Sequence, residues 1–113
     1  MGVEARRLRP STGSVQDLPV GVVTFVFTDI EGSTKLLQRT GTAYVELLAA
    51  HRRLIRSSFT SHGGQEVDTQ GDSFFYAFSG SRDAVEAVIE AQRELAAYPW
   101  PDGDEVRVRM GCT

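Results

Sequence analysis

Cysteine is almost missing from this chain. Cys112 is the single one in 113 residues, which excludes an intrachain disulfide framework and an all-cysteine zinc site. Long apolar runs are missing too, and none approaches the roughly 20 residues of a membrane span. The N-terminus lacks a signal-peptide core, because Met1 is followed by Glu4, Arg6, Arg7 and Arg9 and then by Pro, Ser and Gly. Met1-Gly2 fits the start of an N-myristoylation motif, but Arg6 stands where that motif takes Ser or Thr. Nor is there a surplus of positive charge. The net charge is −3 and three of the 12 basic residues lie in the first nine positions. From Val20 onward nine basic residues face 13 acidic ones, without the basic footprint of a nucleic-acid binder. Arg6, Arg7 and Arg9 read as a solvated tail. These absences predict a cytoplasmic chain with neither a membrane nor a nucleic acid as partner.

What is present suits one small folded domain. The chain is 41% hydrophobic and 24% charged, an ordinary globular balance. Residues 1–19 have no hydrophobic period and carry Pro10, Gly13 and Pro19, so they read as a flexible leader, with the domain over 20–113. Val22 to Ile30 is β-branched and aromatic, which predicts a central strand. Gly32-Ser33-Thr34 opens a short helix over Lys35 to Arg39, with Ser33 or Thr34 near its cap and Gly41 breaking it. Thr42 is placed to cap a second helix, Ala43 to about Ser61. Its buried stripe is Tyr44, Leu47, Leu48, His51, Leu54, Ile55 and Phe59, and Gly63-Gly64 stops it. Gln65 to Thr69, a Gln70-Gly71 turn and Ser73 to Phe78 predict a hairpin. A third helix runs from Arg82 to about Tyr98, with Val85, Val88, Ile89 and Leu95 as its inner face and Asp83 in its first turn. Pro99 and Pro101 end it, Trp100 plugs the base of the core, and Glu105 to Met110 alternates as a last strand. The order βαββαβ predicts an α+β, ferredoxin-like fold, with helices on one face of an antiparallel sheet.

In that topology the first strand pairs antiparallel with the third. Asp29, at the exit of the first, then lies beside Asp72, at the start of the third, although 43 positions separate them in sequence. Two carboxylates this close repel unless one is protonated or a cation sits between them. Hard oxygen ligands with room for phosphate oxygens suit Mg²⁺. The adjacent Ile30-Glu31-Gly32-Ser33-Thr34 is a glycine turn entering a helix, which presents backbone N–H groups to a phosphate. Either aspartate alone is better read as a turn residue. Together, flanking a phosphate-sized turn, they point to nucleoside triphosphate chemistry.

At these residues the chain resembles the class III adenylate and guanylate (nucleotidyl) cyclases. Val23 to Thr34, VTFVFTDIEGST, is similar to their first signature, F-x-D-x-x-G-x-T. Val67 to Phe78, VDTQGDSFFYAF, is similar to their second, in which T-x-G-D leads into an apolar strand. The resemblance covers about Val20 to Gly111. It implies that Asp29, Asp72 and the Ile30 carbonyl bind two Mg²⁺ or Mn²⁺ ions, and that Glu31, Gly32, Ser33 and Thr34 hold the phosphates of ATP or GTP. The implied reaction forms a cyclic nucleotide and pyrophosphate, in the service of signalling. Asp68 matches the base-reading position, lysine in family adenylyl cyclases and glutamate in guanylyl cyclases. Its acceptor-only carboxylate is closer to the glutamate type and is compatible with guanine or with the adenine amino group.

The sequence also departs from the family. After Gly111 come only Cys112 and Thr113, so the family's later ribose-orienting asparagine and phosphate-stabilising arginine have no counterpart among these 113 residues. That predicts a domain of the N-terminal portion type, truncated and inactive alone, with partners in a homodimer or in a heterodimer with a full-length cyclase. The alternatives are a non-catalytic metal–nucleotide or dimerisation module and a non-functional gene remnant. A diguanylate cyclase is disfavoured because the hairpin reads Thr69-Gln70-Gly71-Asp72-Ser73. Lesser candidates have blander readings: His51 as a satisfied core histidine, His62 as a helix C-terminal residue, Lys35 as a solvated helix lysine and Cys112 as an exposed terminal thiol.

Overall fold

The structure, a computed structural model, describes residues 23–113. The leader expected over residues 1–19 lies outside the described residues, as does Val22. β1 (Thr24–Ile30) is followed by α1 (Ser33–Thr40), a 3₁₀ turn (Gly41–Ala43), α2 (Tyr44–Ser61), β2 (Gln65–Gln70) and β3 (Ser73–Phe78). Then come α3 (Ser81–Ala97), a second 3₁₀ turn (Pro101–Gly103) and β4 (Val108–Cys112). The sheet order is β2-β3-β1-β4, and every neighbouring pair is antiparallel. This is the ferredoxin-like α+β arrangement, with β1 beside β3.

Strand alternation sorts β1 into two faces. Thr24, Val26, Thr28 and Ile30 are buried under the helices, while Phe25, Phe27 and Asp29 point the other way. On the covered face Phe59 of α2 meets Tyr76 edge-on at 4.9 Å and Phe78 at 5.6 Å between ring centroids. Val26, Ile55, Phe59 and Phe78 are fully buried there, and burial of such side chains supplies most of the favourable free energy of a small domain. Gly64, just after α2, is required by packing. A Cβ at that position would lie 2.7 Å from Phe78 Cζ and 2.9 Å from the Phe59 carbonyl.

Three expectations need correction here. The inner face of α3 is Ala84, Ala87, Ala91 and Leu95, whereas Val85 and Ile89 are nearly half exposed and Val88 is only partly buried. Small side chains let the helix approach its neighbours, so the close-packed stripe consists of alanines. The last strand starts at Val108, not Glu105, because β1 ends opposite it: Ile30 pairs with Val108 and Val26 with Cys112. Cys112 is exposed, as expected, but it belongs to this strand. Thr42 caps nothing: it sits inside the 3₁₀ turn, and α2 has no side-chain cap. Trp100 packs partly buried against the core and donates its indole N–H to the Leu95 carbonyl at 2.8 Å. His62, at the end of α2, bonds Glu90 at 2.8 Å.

Candidate functional site

The exit of β1 and the start of β3 converge, as the topology requires. The Ile30 amide donates to Asp72 Oδ2 at 2.9 Å, so Asp72 satisfies a backbone group at the strand end. Asp29 lies one residue earlier on the open face, opposite Arg109 of β4. Arg109 grips it with two bonds, Nε to Oδ1 at 3.1 Å and Nη2 to Oδ2 at 2.8 Å. The Ile30 side chain is buried in the core, which leaves its backbone as the part available to the site.

The turn after β1 is built around Gly32, whose φ of 65° and ψ of 34° form the left-handed cap of α1. That conformation favours glycine. Among the described residues no side chain caps the helix, so the expectation of Ser33 or Thr34 as cap fails: the chain reverses at Gly32 and both residues already belong to the helix. The first helical bond runs from the Leu36 amide to the Gly32 carbonyl, and earlier first-turn amides have no acceptor within the helix. The Glu31 amide is committed to the Arg107 carbonyl at 2.7 Å. Among the described residues, the open donors of this turn are therefore the amides of Gly32 and of the α1 first turn.

Asp68 reaches the open face through an irregularity. The β2–β3 register shifts between Glu66 and Asp68, leaving Val67 as an extra residue, the mark of a β-bulge. Continued from the Gln65–Ala77 pair without the bulge, Asp68 would oppose Phe74 on the helix face. With it, Asp68 opposes Phe75, and its carboxylate accepts from the Thr69 amide and from Gln70 Nε2. Asp68, Asp29, Phe27, Phe75 and Arg109 line one open groove of about 680 Å³. Phe27 and Phe75 stack on its floor with centroids 4.6 Å apart. Asp72 and residues 31–34 are not among the groove walls.

Behind the site, α2 sends two groups forward. Arg52 Nη2 donates to the Gly71 carbonyl, fixing the turn that carries Asp72. Burial, and after it the negative charge of Asp72, raises the pKa of Tyr44. His51 is fully buried, but it is only half satisfied: Nδ1 lies 3.3 Å from the Leu48 carbonyl, and Nε2 has no partner among the described residues. Facing an acceptor, Nδ1 must carry the proton of the neutral ring. Burial pushes the His51 pKa down to about 4, against a smaller upward pull from the Leu48 bond. Lys35 is exposed.

Arg109, Arg52 and Tyr44 escaped sequence reasoning. The alternation in Glu105–Met110 gives Arg109 a face, but only the β1–β4 register identifies its partner.

The donor set fits a hard divalent cation. Two carboxylates and a backbone carbonyl offer oxygen only, and among the described residues no cluster of three or more His, Cys, Asp or Glu offers a closed cage. Mg²⁺ is commonly held in this way, by one or two carboxylates with phosphate and water oxygens completing the shell.

The Asp72–Ile30 bond and the glycine-capped helix thus stand at one end of a ferredoxin-like sheet. The chain is a member of the adenylate and guanylate cyclase catalytic domain family, whose sequence profile matches residues 15–98. It is 33% identical over 107 residues to an adenylate cyclase of Lachancea kluyveri, covering 95% of this chain and 6% of that protein. It is 41% identical over 78 residues to a receptor-type adenylate cyclase of Trypanosoma congolense, covering 69% and 10%. Its fold superposes with a TM-score of 0.73 on an adenylate cyclase of Trypanosoma brucei solved in the monomeric state. That match has 28% identity and covers 80% of this chain and 55% of the other. The chain thus spans a small fraction of its curated relatives and about half of the solved domain.

Proposed function

We propose that this chain forms the metal- and phosphate-holding part of a class III cyclase site, and that it binds ATP or GTP together with Mg²⁺ or Mn²⁺ in the cytoplasm. Asp29, Asp72 and the Ile30 carbonyl are the metal ligands of this reading. The turn over Glu31, Gly32, Ser33 and Thr34 holds phosphate through the amides from Gly32 onward, the Glu31 amide being committed to the Arg107 carbonyl, and Asp68 reads the base from the groove wall. The observation that carries it is the docking of Asp72 onto the Ile30 amide. This bond holds Asp72 at the strand end that carries Asp29 and leads into the glycine turn.

When bound, a divalent cation neutralises phosphate charge and makes a hydroxyl easier to deprotonate. The chain's own part is positional. The α1 first turn offers amides to anionic oxygens, and Asp68 offers acceptors to base N–H groups. Cyclisation also needs an oriented ribose and a cation on the leaving phosphates. Turnover in this reading takes a second cyclase chain, which the open face with Phe25, Phe27 and Phe75 would meet.

Calorimetry with Mn²⁺ and nucleotide, on the wild type and on Asp29→Ala with Asp72→Ala, tests the binding claim. Equal binding by both proteins removes it. Assays of cyclic AMP and cyclic GMP, alone and mixed with a homologue lacking its own metal aspartates, test the second claim. Product from the chain alone contradicts it. Product only in the mixture, lost with Asp72→Ala here, supports it.

A further inference from the structure

The two candidate metal acids are not equally available. Asp72 spends one oxygen on the Ile30 amide. Asp29 has both oxygens engaged by Arg109. The pairing follows from the fold, because Asp29 and Arg109 are directly opposed across β1 and β4 and both line the open groove. The guanidinium fork matches a carboxylate with two parallel bonds and stays charged at any working pH. Its pKa is raised first by the bond to Asp29 and then by that charge, with smaller contributions from Glu31 and Asp72. Arg109 thus places a cation directly on the Asp29 carboxylate, as a nearby opposite charge favours its ionised form.

We propose that Arg109 is a latch on Asp29, so that a divalent cation gains this ligand only by displacing the guanidinium. The proposal rests on the reading of Asp29 as a metal ligand. The side chains are 63% and 41% exposed, so water screens the pair and the latch opens readily. Metal affinity is then lowered by the fraction of molecules in which Asp29 is held. The latch responds to competing cations and to ionic strength, not to proton loss from arginine.

The test is Mn²⁺ titration of the whole chain without nucleotide, followed by electron paramagnetic resonance of the free ion. Circular dichroism checks that each variant is folded. Arg109→Gln removes the competitor and one positive charge, and should tighten Mn²⁺ binding by about three- to ten-fold. Arg109→Lys keeps the charge, loses the fork and should fall between. Arg107→Gln makes the same charge change at an exposed side chain that pairs with Glu105 instead, and should stay within about two-fold of wild type. In an Asp29→Asn background Arg109→Gln should give no gain. An unchanged or weaker Arg109→Gln, an equal gain from Arg107→Gln, or a gain that survives Asp29→Asn each overturns the latch. If Asp29→Asn alone leaves Mn²⁺ affinity intact, the ligand reading fails, and the latch with it. If Asp29→Asn weakens binding while Arg109→Gln does nothing, only the latch fails.

Discussion

The two faces of the sheet have opposite designs. Under α2 and α3, β1 and β3 present Val26, Ile30, Tyr76 and Phe78, all nearly inaccessible. On the other side the same strands present Phe25, Phe27, Asp29 and Phe75, with Phe27 48% exposed. Period-two alternation puts both sets on one strand. The covered face accounts for the fold; the open face keeps charged and aromatic groups accessible at little cost to it. This division teaches where substitutions should be felt, and it can be broken in either direction.

The largest effect belongs to the covered face. Phe59→Ala empties the centre of the aromatic cluster and should cost about 3–5 kcal/mol, a large part of the stability of a small domain. Urea denaturation reads it. A loss under 1 kcal/mol, on the order of a surface change, would show that this cluster is not the core.

Acid should act through the same face. His51 has a folded pKa of about 4 against an ordinary 6.5, so the fold prefers the neutral ring. Between these values the unfolded chain binds more protons. Stability contributed by the neutral ring is therefore complete above pH 6.5, falls as pH drops through the window, and loses nothing further below about 4. The full difference is about 3 kcal/mol. His51→Leu should flatten this limb of a stability–pH curve. A separate, smaller acid limb belongs to Glu66, whose pKa is lowered first by its hydrogen bonds from Arg56, so that its contribution fades as pH falls through that depressed value.

Gly64→Ala should cost about 1–3 kcal/mol, because the added methyl meets the buried Phe78 ring and the Phe59 carbonyl. At the other extreme, Phe27→Ser removes only a half-exposed ring and its stack on Phe75, and should change stability by about 1 kcal/mol or less. A Phe27→Ser loss as large as that of Phe59→Ala would erase the distinction between the faces.

Much of this was legible in the sequence, for physical reasons. The β-branched run of β1, the apolar stripe of α2 and the Gly-Asp hairpin are local signals, and they suffice for the βαββαβ order and for the arrival of Asp72 at the end of β1. Three things were hidden. The α3 inner face is made of alanines, whose small side chains carry a weak hydrophobic signal but allow the closest approach. The bulge at Val67, which turns Asp68 to the open face, has no glycine to announce it. The Arg109–Asp29 pair depends on the register of two strands 80 positions apart, which no local pattern sets.

The central claim is that metal and nucleotide bind at the open-face end of β1. Mn²⁺ relaxes nearby nuclei, so amide signals recorded on titration with Mn²⁺ and ATP or GTP locate the ion directly. The account predicts that broadening begins at residues 29–35 and 71–73 and spares Leu95 and its neighbours on α3. Broadening that begins instead around Glu86, Glu90 and Glu94, with residues 29–35 unaffected, would contradict it.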